Sequence, residues 1–166
     1  LNRDFIKSAI STDFTKKENI VLYNPRKGFS FTKKIIDNAP DLQWIPLTGL
    51  TREEMIALLQ RAKVYIDFGN HPGKDRIPRE AAICGCCVIT GKRGSAYYHN
   101  DVPIPDQYKF DDEDTSVPLV VNKIHEILSD YDSVIDDFKE YREFIKSEED
   151  KFIQDAVNVF SKIVAE

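Results

Sequence analysis

The densest chemistry in the chain lies in the stretch Gly69-Asn70-His71-Pro72-Gly73-Lys74-Asp75-Arg76-Ile77-Pro78-Arg79-Glu80. It gathers cations, carboxylates, a histidine and two glycines just ahead of a helical pattern. Lys74 and Arg76 carry the charge to meet a diphosphate, and Glu80 offers acceptor oxygens for sugar hydroxyls. The plainer reading of Glu80 is a carboxylate placed favourably in the first turn of a helix. A second basic loop, Asn24-Pro25-Arg26-Lys27-Gly28, sets two cations at a helix start. Free backbone N–H groups there suit a phosphate, and a solvated basic turn is the alternative. A third, Gly91-Lys92-Arg93-Gly94-Ser95-Ala96, again combines small residues with cations, as an anion nest does. Thr48-Gly49-Leu50-Thr51 reads mainly as a turn followed by an N-cap.

These loops need a frame, and the apolar pattern supplies one. Short β-prone runs at Ile20–Tyr23, Leu42–Leu47, Val64–Phe68, Cys86–Thr90 and Tyr108–Phe110 read as strands. Between them lie helical periods: Gly28–Asn38, a segment opened by the capping box Thr51/Glu54, and one that begins at Pro78 and stops at Gly85. Gly91–Asp106 reads as a loop with room for a short helix, and the chain beyond Asp114 as two or three helices. Short connections between alternating strands and helices predict an α/β, Rossmann-like three-layer domain. Its sheet is mostly parallel, of about five strands, with a helical C-terminus. Residues 1–18 read as a linker or lead-in helix, and 19–166 as one domain. Six of the seven glycines fall in the four loops that leave strand ends, which is where such sheets bind ligands.

Composition narrows the classes. At 166 residues, 42% hydrophobic and 31% charged, the chain fits one soluble globular domain. Its longest apolar runs, such as 64–66 and 117–121, fall far short of the roughly 20 residues a bilayer requires. The opening Leu1-Asn2-Arg3-Asp4 has no signal-peptide pattern, and without a starting methionine the chain reads as a fragment of a longer protein. Cytoplasmic residence is the expectation. Cys84, Cys86 and Cys87 suit small buried residues in a reducing compartment, not a disulfide framework or a zinc site. The net charge of -5 is uneven: residues 1–100 hold 16 Lys+Arg against 10 Asp+Glu, and residues 101–166 hold 7 against 18. The basic half suggests an anionic ligand. Nucleic acid is not expected, because the cations sit in loops and helix starts and form no continuous stripe.

The stretch Val64 to Ala96 resembles the donor-binding core of GT-B glycosyltransferases of the retaining, glycogen-synthase-like group. Gly73, Pro78, Glu80, Ala81, Gly85, Val88, Ile89 and Gly94 fall in line with that pattern. Upstream, Lys27-Gly28 resembles the family's Lys-Gly at the first helix, and the helix after Gly49-Leu50-Thr51 is similar too. Two departures stand out. The family's first glutamate falls on Pro72, which leaves His71 and Asp75 as candidates for a catalytic role. One strand–helix unit before the third strand is also missing.

The resemblance implies a glycosyltransferase donor domain. It would take a nucleoside diphosphate sugar and serve transfer to a glycan or lipid-linked acceptor in polysaccharide synthesis. Arg26, Lys27, Lys74 and Arg76 would hold the diphosphate, with Gly28 and Gly73 allowing close approach. Glu80 would take the ribose hydroxyls, and Gly49 and Leu50 would lie beside the base. Gly94 and Ser95 would approach the sugar or phosphates. No cofactor and no metal are expected. The expected partner is an N-terminal acceptor-binding domain, through which the whole protein could associate peripherally with membranes. Two alternatives share the fold: an epimerase and a non-catalytic nucleotide-sugar-binding domain. A receiver-like signalling module is a third, suggested by Asp67 at a strand end but lacking an acidic pair after the first strand.

Overall fold

A computed structural model describes residue 1 and residues 3–164, with side chains described throughout 4–148. The expected domain end at residue 166 lies outside the described residues. The chain opens with helix α1 (Arg3–Ile10) and a short 3-10 turn, then enters strand β1 (Glu18–Tyr23). Helix α2 (Phe29–Asn38), strand β2 (Gln43–Pro46), helix α3 (Arg52–Arg61) and strand β3 (Ala62–Asp67) follow. Helix α4 (Arg76–Ile83), strand β4 (Cys87–Gly91) and strand β5 (Lys109–Phe110) complete the sheet. Helices α5 (Val117–Ser129), α6 (Tyr131–Val134) and α7 (Lys139–Val164) close the chain.

The fold is the expected one: five parallel strands in the order β2-β1-β3-β4-β5. Helix α2 packs beside α5 on one face, and α1, α3 and α7 gather around α4 on the other. The central strands are apolar on both faces, as burial under two helical layers requires: Ile20, Val21, Leu22, Val64, Tyr65, Ile66, Val88 and Ile89 are all fully buried. The strand order reverses at β1, since β2 is added to one side of it and β3 to the other. In open α/β sheets that point leaves a crevice beyond the strand carboxyl ends.

Local signals explain the boundaries. The Thr51 hydroxyl accepts from the Glu54 N–H at 3.2 Å, and the Thr51 N–H donates to Glu54 Oε2 at 2.8 Å, so the capping box starts α3 as expected. Helix α4 ends as expected: Cys86 N–H donates to the Ala81 carbonyl at 2.8 Å and Gly85 N–H to Ala82 at 3.0 Å. Its start differs. The helix begins at Arg76, so Pro78 is its third residue, where the missing N–H still costs no hydrogen bond. Glu80 therefore stands in the second turn, one step deeper than the sequence suggests. The lead-in segment belongs to the core, because Phe5 and Ala9 of α1 are buried. Among the described residues no helix is long and apolar enough to cross a membrane.

Cys84, Cys86 and Cys87 are free and fully buried. Burial pushes the Cys84 thiol up to about 12 and raises the other two as well. Lys17 runs in beneath them and donates to the Leu59 and Ala62 carbonyls, both at 2.8 Å. With thiolates suppressed and access closed, Ellman's reagent at about pH 8 is expected to label no cysteine in the native protein and all three in denaturant. Rapid native labelling of any one would contradict this packing.

Candidate functional site

Two helix N-termini meet at the crevice between β1 and β3. Helix α2 starts at Gly28 and α4 at Asp75, and neither cap residue provides a side-chain hydrogen bond to its helix. The N-terminal N–H groups of both helices are thus left without the side-chain acceptor that α3 has. Between them lies a cleft of ≈ 230 Å³ lined by Asn24, Lys27, Asp67, Asp75, Arg76, Ile77 and Pro78. Two cations, Lys27 and Arg76, face it from opposite walls.

The walls touch backbone to backbone. A Cβ on Gly28 would stand 2.3 Å from the Phe68 carbonyl carbon and oxygen, and Gly28 has φ +60°. A Cβ on Gly94 would stand 2.0 Å from the His71 carbonyl oxygen, with φ +58°. Only glycine fits either position. Ser95 completes the second junction: its N–H donates to the His71 carbonyl at 2.9 Å and its hydroxyl to the Gly73 carbonyl at 2.6 Å. Gly28, Gly73, Gly94 and Ser95 thus hold the loops of β1, β3 and β4 together.

Charge inside the cleft is compensated. Lys27 Nζ donates to Asp75 Oδ2 at 2.5 Å. His71 is 1% exposed, with Nδ1 3.6 Å from Asp75 Oδ2 and Nε2 3.6 Å from Asp67 Oδ1. Both separations exceed a hydrogen bond, and Nε2 has no partner among the described residues. Asp67 accepts from the Tyr65 hydroxyl at 2.9 Å and the Gly69 N–H at 3.0 Å. Burial alone would raise the Asp67 carboxyl; His71, Gly69 and Tyr65 together outweigh it and hold the group below the usual carboxylate range. Burial, and then Asp67, push Tyr65 well above an ordinary phenol, so it remains a donor.

Asp67, His71 and Asp75 offer ligand atoms all within 4.8 Å of one another. This is metal-ligand chemistry, and the Lys27 ammonium already stands on it as a cation. Of the two residues considered for catalysis, Asp75 lines the cleft and His71 lies behind it, between the two carboxylates.

The other candidates divide. Arg76 lines the cleft with an exposed side chain. Arg26 is exposed, and its N–H donates to Asn24 Oδ1 at 3.0 Å. Lys74 turns away, pairing with Glu148 of α7 at 2.7 Å over the Phe144 ring. Gly49 and Leu50 are exposed beyond β2 and form no part of the cleft lining. Glu80 is 1% exposed and grips Arg52 with both oxygens, from Nη1 at 2.8 Å and Nη2 at 2.7 Å; Arg76 Nε stands off at 3.5 Å. Glu80 therefore sits behind Arg76 and does not line the cleft.

Sequence reasoning missed Arg52, Asn24 and the role of Asp67 in this site. Asp67 and Asn24 carry a signal, since each is a polar residue closing an apolar strand. Arg52 carries none, because its partner is 28 residues away. Comparison of the sequence with protein-family models and with curated proteins gives no match.

The Arg52–Glu80 pair is open to a double-mutant cycle. Glu80→Gln and Arg52→Ala are each expected to lower stability by about 1–3 kcal/mol. Their coupling should be at least about 1 kcal/mol in urea denaturation. Coupling of Glu80 to Arg76 of equal size, with none to Arg52, would contradict the observed pairing.

Proposed function

We propose that this chain binds a nucleoside diphosphate sugar in the β1–β3 cleft and forms the donor-binding half of a GT-B-type glycosyltransferase. The observation that carries the reading is the convergence of two uncapped helix N-termini with Lys27 and Arg76 on one crevice. A diphosphate is the ligand for which that combination is chemically suited: four sources of positive potential around a small polar cleft. The same groups would stabilise charge developing on a diphosphate leaving group, so the proposed reaction requires no metal. Lys27 and Arg76 are assigned to the diphosphate, with Arg26 at the rim. Glu80 is assigned a role through Arg52 and Arg76, next to the nucleoside. An acceptor-binding domain elsewhere in the full-length protein completes the enzyme, and the whole acts in the cytoplasm on glycan or lipid-linked acceptors.

Asp75 gives the reading a distinctive consequence. It holds Lys27, so an incoming diphosphate must compete for that ammonium. Asp75 is then released beside the donor, where it and His71 behind it are the candidates for a catalytic role. The receiver-like alternative fares worse: Asp67 is 2% exposed with both oxygens occupied, and Asn24 follows β1 where an acidic pair would be needed. An epimerase or a non-catalytic binding domain would share the cleft, and assay of the full-length protein for transfer to an acceptor separates them from the transferase.

Calorimetry with UDP tests the binding step. Affinity is expected to fall about tenfold in Lys27→Ala and in Arg76→Ala, the loss of one charge-assisted contact in each. EDTA should leave it unchanged. Asp75→Asn should bind UDP several-fold more tightly, on the order of 1 kcal/mol, because Lys27 is freed and a like charge removed. Binding that needs a divalent cation, or that weakens in Asp75→Asn, would count against this assignment.

A further inference from the structure

Beyond β4, on the same carboxyl edge of the sheet, lies a second cavity of ≈ 340 Å³ lined by Lys92, Tyr97, His99, Asp106 and Lys109. Lys109 is 4% exposed, and its Nζ finds no hydrogen-bond partner among the described residues. Its neighbour across the β4–β5 ladder is Thr90, also fully buried, whose Oγ1 is likewise without a partner. Paired residues on adjacent strands project to the same face of a sheet. Two buried polar groups, an ammonium and a hydroxyl, are therefore left unsatisfied on one face at the end of the sheet, and the Lys109 ammonium belongs to the residue that lines the cavity.

An unpaired buried ammonium is costly, and folds seldom keep one without use. The other buried lysine shows the usual remedy, since Lys17 donates to two carbonyls. Lys109 has none. Burial lowers its pKa while Asp106 and Asp101 act on it only from a distance, in the opposite direction. Lys92 is engaged with Asp111 at 3.3 Å, and His99 lies beside Glu140 at 3.7 Å. Among the described residues that line the cavity one ammonium is thus left for a ligand, and that matches one negative charge. Asp106 offers acceptor oxygens to a hydroxyl and would repel a second negative charge.

We propose that this cavity is a binding site for a hydroxylated monocarboxylate of the sugar-acid type, its carboxylate paired with Lys109 and a hydroxyl directed to Asp106. The site is separate from the β1–β3 cleft and does not depend on the reading of that cleft.

Calorimetry with D-glucuronate, D-glucose and D-glucose 6-phosphate provides the test. The wild-type chain is expected to bind glucuronate, with glucose and glucose 6-phosphate each at least about tenfold weaker. Lys109→Met should lose glucuronate affinity by about tenfold or more. Lys109→Met should melt no earlier than the wild type, because it removes an unpaired buried charge. No binding of glucuronate, equal binding of glucose, tighter binding of glucose 6-phosphate, or a Lys109→Met variant that is destabilised or fails to fold would each overturn the proposal.

Discussion

Everything at the carboxyl edge of this sheet depends on main chains coming closer than side chains allow. The loop after β1 rests on the Phe68 carbonyl through Gly28, and the loop after β4 rests on the His71 carbonyl through Gly94. A methyl group at either position would push two loops apart. Their contact sets the spacing of Lys27 and Asp75, brings the starts of α2 and α4 to one crevice, and closes His71 in behind the wall. The geometry of the site is thus fixed by what two residues lack.

The second organising feature is electrostatic. Positive potential from two helix starts and two cations meets Asp67 and Asp75 in the same small volume. The buried and half-buried carboxylates around it would each be costly alone, and each is stabilised by a partner: Asp75 by Lys27, Asp67 by Tyr65 and Gly69, and Glu80 behind the cleft by Arg52. The cleft is poised as a set of exchangeable pairs. In the proposed binding mode a ligand with strong acceptor oxygens would replace the Asp75 carboxylate at Lys27 and leave the helix starts where they are, with little rearrangement of the main chain.

Much of the fold was legible because its signals are local. Apolar runs of strand length, the Thr51/Glu54 box and the glycine at the end of α4 each specify their element through neighbours in sequence. Parallel order follows from the helical crossovers. The boundaries that moved did so where packing decides: α4 begins at Arg76, ahead of Pro78, and β5 is trimmed to two residues by the 3-10 turn ending at Tyr108. The site was legible as a place, since glycine and cations crowded the strand ends, but not as a set of contacts. Lys74 and Lys27 look alike in sequence. Only the approach of α7, with Glu148, draws Lys74 away, while Asp75 keeps Lys27 in the cleft. Glu80 read as a pocket-facing acceptor or a favourable charge at a helix start, and it lies instead in the second turn, buried against Arg52. Pairings across tens of residues leave no trace in local composition.

The most direct test of the account is a crystal structure of the chain with UDP. The account places the diphosphate at the starts of α2 and α4, with Lys27 Nζ moved from Asp75 to a phosphate oxygen and the Gly28 and Gly94 junctions unchanged. Ordered UDP bound elsewhere on the surface, or bound in the cleft with the Lys27–Asp75 pair still intact, would contradict it.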